Sequence, residues 1–140
     1  MQTQHKITYK TIIHGPKEKV WDALTNPDII KQYFFGTELI TTWEIGSEII
    51  FQGAWEGQSY RDKGTILEYI KDEKLAYSYL SNWSGKEDLP ENYLWVSYEV
   101  KEISGDTELT IYQTNYDEEK AQHSEASWAS IIDGMKSVLL

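Results

Sequence analysis

Apolar and polar positions alternate with a period of two through the middle of this chain and change to a helical period at its end. Residues 6–13, Lys-Ile-Thr-Tyr-Lys-Thr-Ile-Ile, mix β-branched and polar residues in rough alternation and predict a strand. Gly15-Pro16 ends it and opens a helix, since Pro at the first helical position loses no needed N–H and Gly is tolerated as the cap. Val20 and Leu24, four apart with Trp21 beside them, give that helix a narrow apolar face. Thr25-Asn26-Pro27-Asp28 restarts the pattern at once: Thr or Asn caps, Pro opens, and Asp complements the positive helix end. Two short helices are therefore expected, the second carrying Ile29, Ile30, Tyr33 and Phe34.

From Glu38 to Tyr116 the period predicts strands over 38–43, 47–54, 60–70, 74–82, 93–103 and 107–116. Gly46, Gly57, Lys71-Asp72-Glu73, the Trp83–Asn92 loop and Ser104-Gly105-Asp106 separate them. Turns this short imply an antiparallel meander. Alternation puts Leu75, Tyr77 and Tyr79 on one side of their strand, Leu94, Val96, Tyr98 and Val100 together on theirs, and Leu109, Ile111 and Gln113 together on theirs.

Trp128, Ile131, Ile132, Met135, Val138 and Leu139 form a single stripe on a C-terminal helix, with Ser130, Asp133, Lys136 and Ser137 mostly outside it. A stripe of that size must dock, and the concave face of the sheet is the apolar surface available to it. The Asp117-Glu118-Glu119-Lys120 run before it reads as a short charged stretch.

At 140 residues the chain has the length of one domain, taken as residues 1–140. With no cysteine it excludes disulfides and thiolate chemistry. A formal charge of −10 repels phosphate backbones, so nucleic acid is not an expected partner. No apolar run approaches the roughly 20 residues of a spanning helix, so no membrane insertion is expected and the expected location is the cytoplasm. Six Trp and ten Tyr against three Phe suit walls that are apolar but partly wet better than a dry core.

A strand, two short helices, a long meander and a terminal helix is the α+β order of the helix-grip fold. Val20-Trp21-Asp22-Ala23-Leu24-Thr25-Asn26-Pro27-Asp28 resembles the opening signature of the START-like (SRPBCC) superfamily. The branch it resembles is that of the activator of the heat-shock-protein-90 ATPase. Gly46-Ser47-Glu48-Ile49-Ile50-Phe51, Gly64-Thr65-Ile66-Leu67-Glu68, Lys74-Leu75-Ala76-Tyr77-Ser78-Tyr79 and Thr107-Glu108-Leu109-Thr110-Ile111 agree in order and spacing. The resemblance implies a curved antiparallel sheet of six or seven strands gripping the long helix, with a hydrophobic cavity between them. In that superfamily the cavity holds lipids, sterols, hormones or polyketides, and in a minority of members acts on them chemically.

The three histidines, His5, His14 and His123, lack the convergent partners of a metal site, and no metal or cofactor is expected. His123-Ser124 is not surrounded by a nucleophile elbow, and adjacent helical residues point apart. Glu68 and Glu99 lie within strands, where an inward, unpaired carboxylate would serve as acid or base. The residues expected to line a ligand cavity are Phe51 as floor, Tyr77, Tyr79, Tyr98 and Gln113 as polar-tipped walls, and Trp128, Ile132 and Met135 from the helix, with the Trp83–Asn92 loop as door. The expected function is non-catalytic binding of a small, mostly apolar molecule. Two alternatives stand beside it. One is a chaperone-associated interaction module acting through the acidic surface or an uncovered apolar patch such as Phe34-Phe35 with Trp55, and the other an aromatase/cyclase-like enzyme using a buried Glu or Tyr.

Overall fold

In the computed structural model, which describes residues 5–82 and 84–139 and only the backbone of Trp55, the period-two segments form one antiparallel sheet. Its strands are β1 (Ile7–Ile13), β2 (Glu38–Ile40), β3 (Glu48–Trp55), β4 (Gln58–Ile70), β5 (Lys74–Tyr79), β6 (Leu94–Ile103) and β7 (Asp106–Gln113). They lie in the order β1-β7-β6-β5-β4-β3-β2, so the meander runs from β2 to β7 and the first strand closes the far edge. Two of its hairpins turn on left-handed pairs, Glu56-Gly57 and Ser104-Gly105, whose twist matches that of the flanking strands.

Helices α1 (Lys17–Thr25) and α2 (Pro27–Tyr33) follow β1. Pro16 occupies the N-cap of α1 rather than its first turn, its carbonyl accepting from the N–H groups of Lys19 and Val20. The Asn26 side chain caps α2 by accepting from the Asp28 N–H at 3.0 Å, with Pro27 opening the helix. The Tyr33 hydroxyl donates to the Ala23 carbonyl at 2.6 Å and ties the two helices together.

Helix α3 (Glu118–Leu139) begins ten residues before its apolar stripe. The charged run at 117–120 is its start: the Asp117 side chain accepts from the Lys120 N–H at 2.8 Å, and Glu118 and Glu119 fill the acidic first turn. Only Ala121 is buried in the first ten residues of the helix, so that half carries no amphipathic signal. Beyond it, Trp128, Ile131, Ile132 and Met135 pack on Leu75, Tyr77, Val96, Tyr98, Leu109 and Ile111 from the concave face, with Val20, Trp21 and Leu24 of α1 and Ile30 of α2 completing the core. Val138 and Leu139 are half-buried at its margin. Gly134 brings α3 close to α2, where a Cβ would meet the Tyr33 Cβ at 3.4 Å.

Two irregularities in β4 shape the sheet. The register with β5 shifts between Ile66 and Glu68, a one-residue bulge at Leu67. At Gly64 the strands come so close that a Cβ would stand 1.6 Å from the Ser78 carbonyl oxygen. There the Ser78 hydroxyl replaces a main-chain carbonyl in accepting the Thr65 N–H, at 3.0 Å. Gly64→Ala cannot be absorbed by a rotamer change, because the obstruction is backbone; the strands must part. The expected cost is about 3 kcal/mol, the upper end for overpacking, read as a clear fall in the urea midpoint with m unchanged; a midpoint equal to wild type would refute the close approach.

Candidate functional site

The polar first half of α3 crosses the sheet without filling the space beneath it. What remains is a half-open cleft of about 470 Å³, within the size range of small-molecule sites. Phe34 and Phe35 at the end of α2 bound it on one side, Phe51, Tyr77, Tyr79, Val96 and Gln113 form its floor on β3, β5, β6 and β7, and Trp128 and Ile131 close its inner end. Lys120, His123, Ser124 and Ser127 from α3 line its rim.

Aromatic rings separate this cleft from the core. Phe34 stacks on Phe51 at 6.3 Å, Phe51 meets Tyr77 at 5.5 Å, Tyr77 meets Tyr98 edge-on at 5.8 Å, Tyr98 meets Trp128 at 5.7 Å, and Trp128 returns to Phe34 at 6.1 Å. The cycle is closed, and the edge-to-face contacts in it are each worth about 0.5–1.5 kcal/mol beyond area burial. Behind it lies a second void of about 20 Å³, room for one water.

Of the eight residues expected from the sequence, Phe51, Tyr77, Tyr79, Gln113 and Trp128 line the cleft. Tyr98 and Ile132 line only the small void behind, and Met135, fully buried, lines neither. The difference follows from position along α3, since Ile132 and Met135 lie one and two turns past Trp128, where helix and sheet are already in contact. The polar tips find partners inside the protein. The Tyr77 and Tyr98 hydroxyls bond each other at 2.7 Å, and the Trp128 indole N–H donates to Gln113 Oε1 at 2.7 Å. Gln113 is thereby a positioning group for the indole.

Glu68 and Glu99, the candidate acids, face outward, where Lys74 bridges them at 3.3 Å and 3.6 Å. Strict alternation from the buried Ile66 would have turned Glu68 inward; the extra residue at Leu67 reverses its face, so that it pairs with Ala76 instead of continuing the Ile66–Tyr77 side. The carboxylate that does face the cleft is Asp62, buried in β4 opposite Phe51. Its Oδ2 accepts from the Tyr79 hydroxyl at 2.5 Å and its Oδ1 from the Asn82 N–H at 2.7 Å. The Ser81 side chain bonds to Tyr79 in turn. Sequence reasoning passed over Asp62, although alternation back from Ile66 through Gly64 reaches it on the inner face. Tyr60, two residues earlier, covers Gly53 and bonds Thr37, and both line the cleft.

The expected door is held shut by its own contacts. Asp88 accepts from the Tyr93 hydroxyl and pairs with Lys63, Asn92 bonds the Glu87 carbonyl at 2.9 Å, and the Tyr116 hydroxyl bonds the Asn92 carbonyl at 2.7 Å. None of residues 84–92 lines the cleft; Trp83 lies outside the described residues, as does the side chain of Trp55. The mouth instead lies between Phe35 and the first turns of α3. Phe35 is 55% exposed and holds a left-handed φ of 56°, an unfavoured conformation for a bulky side chain. His123 and Ser124 both reach the rim. His123 stands near Glu119 at 4.0 Å, while the buried Ser124 hydroxyl has no hydrogen-bond partner. Among the described residues no group of three His, Asp or Glu converges as a metal site, and no helix is long and apolar enough to cross a membrane.

Burial, the first cause in each case, pushes the Tyr33, Tyr77, Tyr79 and Tyr98 hydroxyls well above the ordinary tyrosine range, with the neighbouring Asp62 adding to the effect at Tyr79. Unfolded tyrosines lose their protons near pH ~10, so above that pH the folded state binds more protons than the unfolded one. The stability these groups contribute is therefore complete below pH ~10 and declines as pH rises past it, by up to about 1.4 kcal/mol per pH unit for each group. In an alkaline titration of the ten tyrosines, the last phenolate absorbance should appear only as far-UV dichroism collapses. Ionisation of all ten with the dichroism intact would contradict this arrangement.

Residues 14–140 match the model of the family described as Activator of Hsp90 ATPase homolog 1-like protein. The solution structure of ChR145 from Cytophaga hutchinsonii is 41% identical, covering 99% of this chain and 96% of that one, with a TM-score of 0.85. Two more distant structures share the fold. CalU16 from Micromonospora echinospora is 20% identical over 96% of this chain and 73% of that one, TM-score 0.78. The Aha1 dimer from Colwellia psychrerythraea is 17% identical over 96% of this chain and 95% of that one, TM-score 0.74. No curated protein matches the chain. With its opening motif, its helix-grip architecture and a family match over nearly its whole length, this chain belongs to the Activator of Hsp90 ATPase homolog 1-like family, within the START-like superfamily.

Proposed function

We propose that this protein is a binding domain that takes a small, mostly apolar molecule into the cleft beneath the first half of α3. The cleft itself carries the reading: about 470 Å³ of half-open space, walled by Phe34, Phe51, Tyr77, Tyr79 and Trp128. Leaving such walls in water forgoes about 25 cal/mol for each Å² of apolar surface that a ligand would cover. The strained, exposed Phe35 at the mouth adds support, because backbone strain of this kind is concentrated at functional sites. The chaperone-facing alternative calls for a filled interior and an uncovered charged or apolar patch. Here Phe34 is turned inward onto Phe51 and Trp128, leaving Phe35 as the exposed member of the pair.

The test uses N-phenylnaphthylamine, a neutral fluorophore that brightens in apolar surroundings. Wild-type protein should enhance its emission saturably. Ser127→Trp, which places an indole at the rim from an exposed helical position, should weaken that binding at least about tenfold, or about 1.4 kcal/mol, while thermal unfolding stays near wild type. No enhancement by wild type, or equal binding by the plugged variant, would reject the reading.

A further inference from the structure

The carboxylate that lines the cleft has a chemical requirement that the rest of the site does not meet. Asp62 is 9% exposed, and what exposure it keeps is toward the cleft. Both of its oxygens act as acceptors, one from the Tyr79 hydroxyl and one from the Asn82 N–H. Among the described residues no Lys, Arg or His pairs with it: its neighbour Lys63 bonds Asp88. A buried charge is normally compensated by an opposite one, which the described residues do not supply here. The cations that line the cleft, Lys120 and His123, stand at the rim, where Asp117 and Glu119 lie beside them at 3.5 Å and 4.0 Å.

The surroundings suit a cation. The Phe51 and Tyr79 rings meet edge-on at 5.7 Å beside Asp62, and aromatic faces attract ammonium groups. Burial keeps the Tyr79 hydroxyl protonated, so it continues to donate to Asp62 and does not compete as a second anion. The chain as a whole carries a formal charge of −10, a field that draws cations and repels anions. We infer that the cleft selects apolar molecules bearing a protonated amine, with the ammonium donating to Asp62 and the apolar body lying against Phe51, Tyr77 and Trp128.

This inference rests on the proposed binding function, and one set of measurements separates the two. Phenethylamine, its isostere phenethyl alcohol and phenylacetate are each competed against N-phenylnaphthylamine on the full chain, with the Trp128 indole and Asn82 amide resonances followed in parallel. The amine should bind at least about tenfold more tightly than the alcohol, and phenylacetate more weakly than either. Asp62→Asn keeps the shape but removes the charge and one of the two accepting oxygens; it should bring the amine's affinity down to that of the alcohol. If the fluorophore binds but the alcohol or the acid equals the amine, the inference falls and the binding function stands. An amine preference that survives in Asp62→Asn also overturns the assignment, and failure of every probe including the fluorophore overturns both. The comparison of the three compounds on wild-type protein decides the matter even if Asp62→Asn does not fold.

Discussion

The shape of this protein depends on how the apolar residues are distributed along α3. A helix that carried its stripe from end to end would seal against the concave sheet throughout its length. Here the stripe starts at Trp128, and the preceding turns bury only Ala121. The second half therefore grips the sheet and the first half overhangs it, its start capped by Asp117 and Ala121 its one buried residue. The cleft is the space under the overhang. Trp128 stands where the two halves meet, its indole fixed by Gln113 and its ring closing the aromatic cycle that separates cleft from core.

The polar atoms on the inner face divide into two sets. Tyr98 bonds Tyr77 and Gln113 accepts from the Trp128 indole; a buried polar group left unpaired would cost about 1–3 kcal/mol, so these bonds are structural requirements before they are anything else. Asp62, Tyr79 and Ser81 form the second set, at the opposite side of the cleft. With the Asn82 N–H that set is hydrogen-bonded, and among the described residues no cation pairs with Asp62, which gives an otherwise apolar site a chemical polarity. Asp62 lies in the regular part of β4, paired with Phe51 of β3; the close contact at Gly64 and the bulge at Leu67 come after it in the strand.

Much of this was readable from the order of residues. Alternation in 74–79, 94–100 and 109–113 named the inner face correctly, because these strands run without irregularity and period two follows directly from the pleat. The Asn26-Pro27 start and the stripe from Trp128 were equally plain. The start of α3 was missed although its cap signature is local, since turns that span a cleft carry no apolar period to mark them. Glu68 was left undecided for a different reason: whether a strand counts in twos through Leu67 depends on the partner strand, and no residue at that point announces the bulge.

Which elements form, in what order, and which side of most strands is covered follow from the order of residues alone, because those properties rest on periods and caps that neighbouring residues carry among themselves. Where the helix stops touching the sheet, which tyrosine hydroxyls pair with each other, and that Asp62 rather than Glu68 or Glu99 faces the open space are settled by the folded chain. These are matters of register and of contact between segments distant along the chain, such as Asp62 with Tyr79 and Gln113 with Trp128. A single strand's pattern holds no information about the partner that will meet it.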